Sequence, residues 1–163
     1  MALVVVMGVT GSGKSTVGAA LATRLGVPFA DADDFHPPAN VAKMSAGVPL
    51  DDADREPWLR AIGEWLAARA GTGGVVSCSA LRRAYRDALR EHAPDAYFVH
   101  LHGDRETVRR RVAGRAGHFM PTSLVESQFA ALEPLGEDER GVVLPLDTPV
   151  DDLVEAAARS VAD

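Results

Sequence analysis

Five short apolar runs alternate with longer amphipathic stretches, and that alternation predicts the fold. The first run, Leu3-Val4-Val5-Val6-Met7, contains no polar position. A short β-branched run that is apolar on both faces reads as a buried parallel strand. Val17, Ala20, Leu21 and Leu25 then recur at helical spacing, and Gly26 supplies a stop. Val27-Pro28-Phe29-Ala30-Asp31 reads as a second strand. After the break at His36-Pro37-Pro38, residues 39–46 can form a short helix closed by Gly47, and Pro49-Leu50-Asp51-Asp52 carries a helix N-cap signal. Trp58, Leu59, Ile62, Trp65 and Leu66 make one helical stripe, so both tryptophans are read as core. Val75-Val76-Ser77 is the third strand and Leu81, Tyr85, Ala88 and Leu89 mark the next helix. Residues 97–102 read as the fourth strand and 104–112 as an arginine-rich helix, which the loop 114–119 interrupts. Val125, Phe129 and Leu132 mark a further helix, 141–146 a fifth strand, and Val150 to Val161 the closing helix. Strands alternating with helices imply an α/β fold around a mainly parallel sheet with right-handed crossovers.

Between the first strand and its helix stands Gly8-Val9-Thr10-Gly11-Ser12-Gly13-Lys14-Ser15, which fits G-x-x-x-x-G-K-[ST], the phosphate-binding P-loop. Strand, loop and helix come in the order the motif needs. Glycines let backbone N–H groups turn toward phosphate oxygens, and the helix start adds roughly half a positive charge. Lys14 reaches the β- and γ-phosphates, and the Ser15 hydroxyl is placed to ligate Mg²⁺. The chain is therefore expected to bind a nucleoside triphosphate through Gly8, Thr10, Gly11, Ser12, Gly13, Lys14, Ser15 and Thr16.

Composition narrows the partners. With 163 residues the chain should form one domain, and an apolar share of 47% with 25% charged residues is ordinary for a globular protein. A net charge of −6 argues against a nucleic-acid binder held by phosphates. Cys78 is the only cysteine, so an intrachain disulfide is excluded and a reducing, cytoplasmic location is expected. The N-terminal apolar run ends by Val9 without a basic leader, so it is expected to be a core strand, not a signal peptide or membrane span. The only lysines are Lys14 and Lys43, in a chain that otherwise uses arginine. At the P-loop a compact ammonium suits phosphate.

The P-loop does not choose between kinase, GTPase and motor. The Asn-Lys-x-Asp segment that reads guanine is absent, since Asn40 is followed by Val41. The third strand ends in Ser77, where many hydrolytic NTPases carry their Mg²⁺-binding Asp. Acids cluster instead after the second strand, as Asp31-Ala32-Asp33. On an extended chain two such carboxylates point the same way. One of them can hold the metal's water shell while the other takes the proton of an attacking hydroxyl. Lys43, Arg55, Arg82 and Arg83 suggest an anionic acceptor. Arg109, Arg110 and Arg111 point in different directions around a helix, so one or two of them can face phosphates; Arg111 is the candidate. Arg115, on a loop flanked by Gly114 and Gly117, is the candidate for transition-state charge. His100 and His102 share a strand face without an acidic or cysteine partner nearby in sequence and are read as core or edge residues.

These segments resemble the gluconate kinases, within the small P-loop kinases that include shikimate and adenylate kinases. The resemblance rests on residues 7–16; Asp31-Ala32-Asp33-Asp34-Phe35-His36-Pro37; residues 40–44; Gly47-Val48-Pro49-Leu50; Asp54-Arg55-Glu56-Pro57-Trp58-Leu59; Cys78-Ser79-Ala80-Leu81; Tyr85-Arg86-Asp87; Gly117-His118-Phe119-Met120-Pro121; and Ser127-Gln128-Phe129. Ala32 stands where that family often has Gly, and Arg82 where it often has Lys. The resemblance implies a three-layer P-loop kinase fold with a five-stranded sheet, an acceptor-binding helical arm at about 34–70 and a lid at about 114–121. It implies phosphorylation of D-gluconate to 6-phospho-D-gluconate with ATP and Mg²⁺. Catalysis falls to Lys14, Asp33 and Arg115, metal binding to Ser15 and, through water, Asp31, and acceptor binding to Asp33, His36, Lys43, Arg55, Arg82, Arg83 and Gln128. Such kinases are often homodimers. A kinase for another hydroxy acid such as shikimate, or a nucleotide-binding regulatory module without turnover, remain the alternatives.

Overall fold

A computed structural model describes residues 2–113 and 122–162. Strands β1 (Leu3–Met7), β2 (Phe29–Asp31), β3 (Gly74–Ser77), β4 (Tyr97–His102) and β5 (Gly141–Pro145) form one sheet in the order β2-β3-β1-β4-β5. Every adjacent pair is parallel. Seven α-helices cover it among the described residues: α1 (Lys14–Leu25), α2 (Pro38–Ser45), α3 (Asp52–Ala67), α4 (Arg83–His92), α5 (Arg105–Ala113), α6 (Thr122–Ala131) and α7 (Val150–Ala162). None of these helices is long and apolar enough to cross a membrane.

The unbroken apolar run of β1 follows from burial on both faces. Val4 and Val6 join Val17, Leu21, Val99, Leu101, Val108, Leu153 and Ala157 in one core, beneath α1, α5 and α7. Leu3, Val5 and Met7 join Trp58, Ile62, Leu66, Val76, Leu89 and Phe98 in the other, beneath α3 and α4. Residues of one strand alternate between two apolar layers, so no position can be polar.

The second strand begins two residues later than the apolar pattern predicts. Gly26 adopts the left-handed conformation at the end of α1, and the Val27 N–H returns to the Ala22 carbonyl at 3.0 Å. That closing turn takes Val27 out of the ladder, and Pro28 has no N–H to offer. The Pro57 ring sits within α3, whose start is fixed by a reciprocal capping box between Asp51 and Asp54. Trp58 is buried, as expected for the stripe, whereas Trp65 is only half-buried, with Arg69 over its ring.

Candidate active site

The P-loop closes tightly on itself. A Cβ on Gly8 would lie 2.6 Å from Ser12 Oγ and 2.9 Å from the Leu101 carbonyl, so no larger residue fits there. Gly13 is the N-cap of α1 at φ 86°, a left-handed conformation that favours glycine. No side chain caps α1 and no acid lies in its first turn, so its N-terminal amides and positive dipole end remain suited to an anion.

Strand order puts the acids beside this loop. β3 separates β2 from β1, and the Ser15 hydroxyl reaches across to donate to Asp31 Oδ2 at 2.8 Å, with Ser77 Oγ 3.3 Å away. Asp31 Oδ1 accepts the Asp33 N–H at 3.0 Å and thereby caps a 3₁₀ turn over Ala32–Phe35. The extended geometry expected for Asp31-Ala32-Asp33 is therefore wrong: the chain turns at Asp31, because its own side chain offers the backbone an alternative to the ladder. Asp31 faces Ser15, and Asp33 stands exposed one turn on.

Trp58 fixes that turn. Its indole Nε1–H donates to the Ala32 carbonyl at 2.7 Å, and its ring stacks on His36 with centroids 4.5 Å apart. Asn40 is buried and donates to the Asp54 carbonyl at 2.9 Å, with His36 Nδ1 at 3.3 Å. An amide donor at Nδ1 leaves the proton of neutral His36 on Nε2. Partial burial, aided by the nearby Arg55, pushes the His36 imidazole below its ordinary value against the opposing pull of Asp33.

The four cations expected as acceptor anchors separate into two kinds. Lys43 pairs with Asp54 at 2.7 Å, and Arg83 makes two bonds to Asp138 at 2.8 and 2.6 Å. Arg55 instead lies over the Tyr85 ring at 5.3 Å, 3.8 Å from Asp52, and Arg82 is exposed at the N-cap of α4. The Tyr85 hydroxyl donates to Asp52 Oδ1 at 3.0 Å, so Tyr85 and Asp52 together hold the Arg55 side chain. Gln128 comes to the nucleotide loop: its Oε1 accepts the Thr10 N–H at 2.6 Å. Arg111 also lies against the P-loop, 3.5 Å from where a Gly13 Cβ would stand, and donates to the Leu146 carbonyl at 3.0 Å. Beside it a cavity of about 390 Å³ is lined by Thr107, Arg110, Arg111, Leu146, Asp147 and Pro149. The Cys78 thiol is buried and pushed up to about 12 by that burial, which rules it out as a nucleophile at neutral pH. The segment expected to form a lid, about 114–121 with Arg115, lies outside the described residues.

Comparison with known proteins shows the family. The shikimate kinase family model matches residues 10–140. The gluconokinase of Gluconobacter oxydans is 53% identical over 137 residues, covering 83% of this chain and 77% of the relative. The thermoresistant gluconokinase of Escherichia coli is 42% identical, over 92% and 87% of the two chains. The crystal structure of a gluconokinase from Sinorhizobium meliloti superposes with a TM-score of 0.91 at 49% identity, covering 99% of this chain and 91% of that one. This chain belongs to the gluconokinase family. Likeness to the shikimate kinase of Aquifex aeolicus, with a TM-score of 0.58 at 16% identity, shows the shared fold. Three features of this gluconokinase-family site escaped sequence reasoning: the Trp58 bond to Ala32, the burial of Asn40, and the α5 cavity. The lone asparagine was the one available signal, since a polar residue on a short amphipathic helix has few reasons to be buried.

Proposed function

We propose that this chain transfers the γ-phosphoryl group of ATP to D-gluconate, giving 6-phospho-D-gluconate and ADP. The observation that carries the reading is the Ser15–Asp31 contact at the uncapped start of α1, with exposed Asp33 one turn away on an arm that carries His36 and Arg55. The amides of residues 11–16 and the Lys14 ammonium hold the phosphates. Ser15 and Asp31 supply hard oxygen donors of the kind Mg²⁺ takes alongside phosphate and water. When bound, that ion neutralises charge on the phosphates.

Asp33 accepts the proton of the gluconate 6-hydroxyl, and Trp58 keeps the Asp33 turn in register. Neutral His36 donates through Nε2 to an acceptor hydroxyl. The carboxylate end goes to Arg55 and Arg82, because Lys43 and Arg83 already hold Asp54 and Asp138. Adenine occupies the cavity between α5 and the turn after β5, where Arg111 joins it to the P-loop. A single, buried, free cysteine supports a reducing, cytoplasmic setting for the reaction.

A coupled ADP-release assay across gluconate, shikimate and glucose tests the substrate. Gluconate should be turned over far faster than either, since glucose leaves the cations unpaired. Equal turnover of shikimate or glucose overturns the assignment. Arg55→Gln should leave ATP binding intact and raise the KM for gluconate, by about 1.5–3 kcal/mol for one charge-assisted contact.

A further inference from the structure

Arg86 is fully buried and its guanidinium uses all five N–H groups on protein. Nε and Nη2 hold the two oxygens of Glu139 at 2.7 and 2.9 Å. Nη1 donates to the carbonyls of Ala80 and Leu81 at 2.9 and 3.3 Å, and Nη2 also to Pro134 at 3.3 Å. Burial works to raise the Glu139 carboxyl, but hydrogen bonds from Arg86, the Gly136 amide and Arg90 hold it down at about 2, so the pair stays ionised.

The two carbonyls belong to an unusual backbone. Ala80 has φ 45°, the one positive value among the described residues that are not glycine. Its Cβ makes that conformation unfavourable, and it persists only where the surroundings enforce it. The Glu133 N–H holds the Leu81 carbonyl from the opposite side at 2.7 Å.

Residues 78–82 lead directly off the catalytic end of β3. Ser77 Oγ is 3.3 Å from Ser15 Oγ, and Cys78 feels the charges of Lys14, Asp33 and Asp31. Arg86 itself is fully buried. A buried ion pair is often replaceable by packed apolar residues without loss of stability; what apolar residues could not supply here is the pair of bonds to the Ala80 and Leu81 carbonyls.

We propose that Arg86, with Glu139 as its counter-charge, is a positioning residue that holds residues 78–82 in a strained conformation needed to bind the acceptor. The inference rests on the reading of this crevice as the acceptor site. The nucleotide loop follows a different strand and shares no bond with Arg86, so nucleotide affinity should be insensitive to it.

The experiment first establishes which acid the unaltered chain phosphorylates, and all later kinetics use that acceptor. Failure of the gluconate assignment is thereby separated from failure of this one. Arg86→Lys keeps the charge beside Glu139 but loses the planar fork. It should raise the acceptor KM at least tenfold, while the affinity for a nonhydrolysable ATP analogue changes less than twofold. Adding Ala80→Gly to Arg86→Lys should recover at least threefold of the lost KM, because glycine reaches the left-handed conformation unaided. Equal losses for acceptor and nucleotide, an unchanged acceptor KM, or no recovery in the folded double variant overturn the proposal. If Arg86→Lys does not fold, Ala80→Val decides: it leaves the ion pair whole but cannot easily hold φ 45°. A folded Ala80→Val protein with an unaltered acceptor KM overturns the proposal, and a raised KM with intact nucleotide affinity supports it.

Discussion

Asp31 and Asp33 are separated by one residue in sequence and differ in what they touch. Both oxygens of Asp31 are engaged, one by the Ser15 hydroxyl and one by the Asp33 amide, whereas Asp33 presents its carboxylate to solvent. Asp33→Asn keeps the shape and removes the proton acceptor, so kcat should fall about 10²- to 10⁴-fold with little change in ATP affinity. Asp31→Asn should instead raise the Mg²⁺ concentration needed for half-maximal rate. Steady-state kinetics over a Mg²⁺ titration separate the two. A larger kcat loss for Asp31→Asn at saturating Mg²⁺ would show the roles reversed. The pair of acids was legible from spacing beside a P-loop. Their different surroundings were not, because alternation assumes a strand and Asp31 ends the strand by capping the next turn.

At the scale of elements, the arm is held to the sheet through α3. Its apolar stripe buries Trp58, Leu59, Ile62 and Leu66, and the indole N–H of Trp58 reaches the Ala32 carbonyl. Trp58→Phe preserves most of the ring and leaves that carbonyl without its donor. A loss of about 1–3 kcal/mol is expected in urea unfolding, together with a fall in kcat as the Asp33 turn loosens. Unchanged kcat in a destabilised protein would confine Trp58 to stability. The stripe and the Asp51 cap were readable as a helix, since both are local signals. The bond to Ala32 spans 26 residues and has no local signature.

The whole molecule adds a pH dependence. His100 is buried, and that burial, with His102 and Arg86 nearby, pushes its imidazole down to about 4. An unfolded histidine titrates near 6.5, so below that pH the unfolded chain takes up a proton that the folded chain refuses. The His100 contribution should therefore fall as pH drops from 6.5 to 4, by roughly 3 kcal/mol in all, while below about 4.5 protonation of Glu139, held down at about 2, continues the loss. Urea unfolding at pH 7.5, 5.5 and 4.5 checks this. His100→Leu should flatten the slope, and an identical slope in that variant would assign it to another group. Reading His100 as a core residue needed only its place on an apolar strand. Its pairing with Met7 on β1 and its nearness to Arg86 came from the sheet order.

The sequence by itself determined the alternation of strands and helices, the P-loop and its flanks, and the acids and cations available for chemistry. Those are local facts: hydrophobic period, glycine freedom and residue type act within a few positions. The tertiary structure decided which of these groups meet. Strand order 2-3-1-4-5 carried Asp31 to Ser15 across β3. Tertiary pairing assigned Lys43 to Asp54 and Arg83 to Asp138, leaving Arg55 over the Tyr85 ring and Arg82 exposed at the start of α4. Burial turned Arg86, one arginine among many, into the clamp on residues 78–82. The physical reason is the same in each case. A charged side chain's partner is set by which surfaces the packed sheet brings within a few ångströms, and that depends on the whole chain at once.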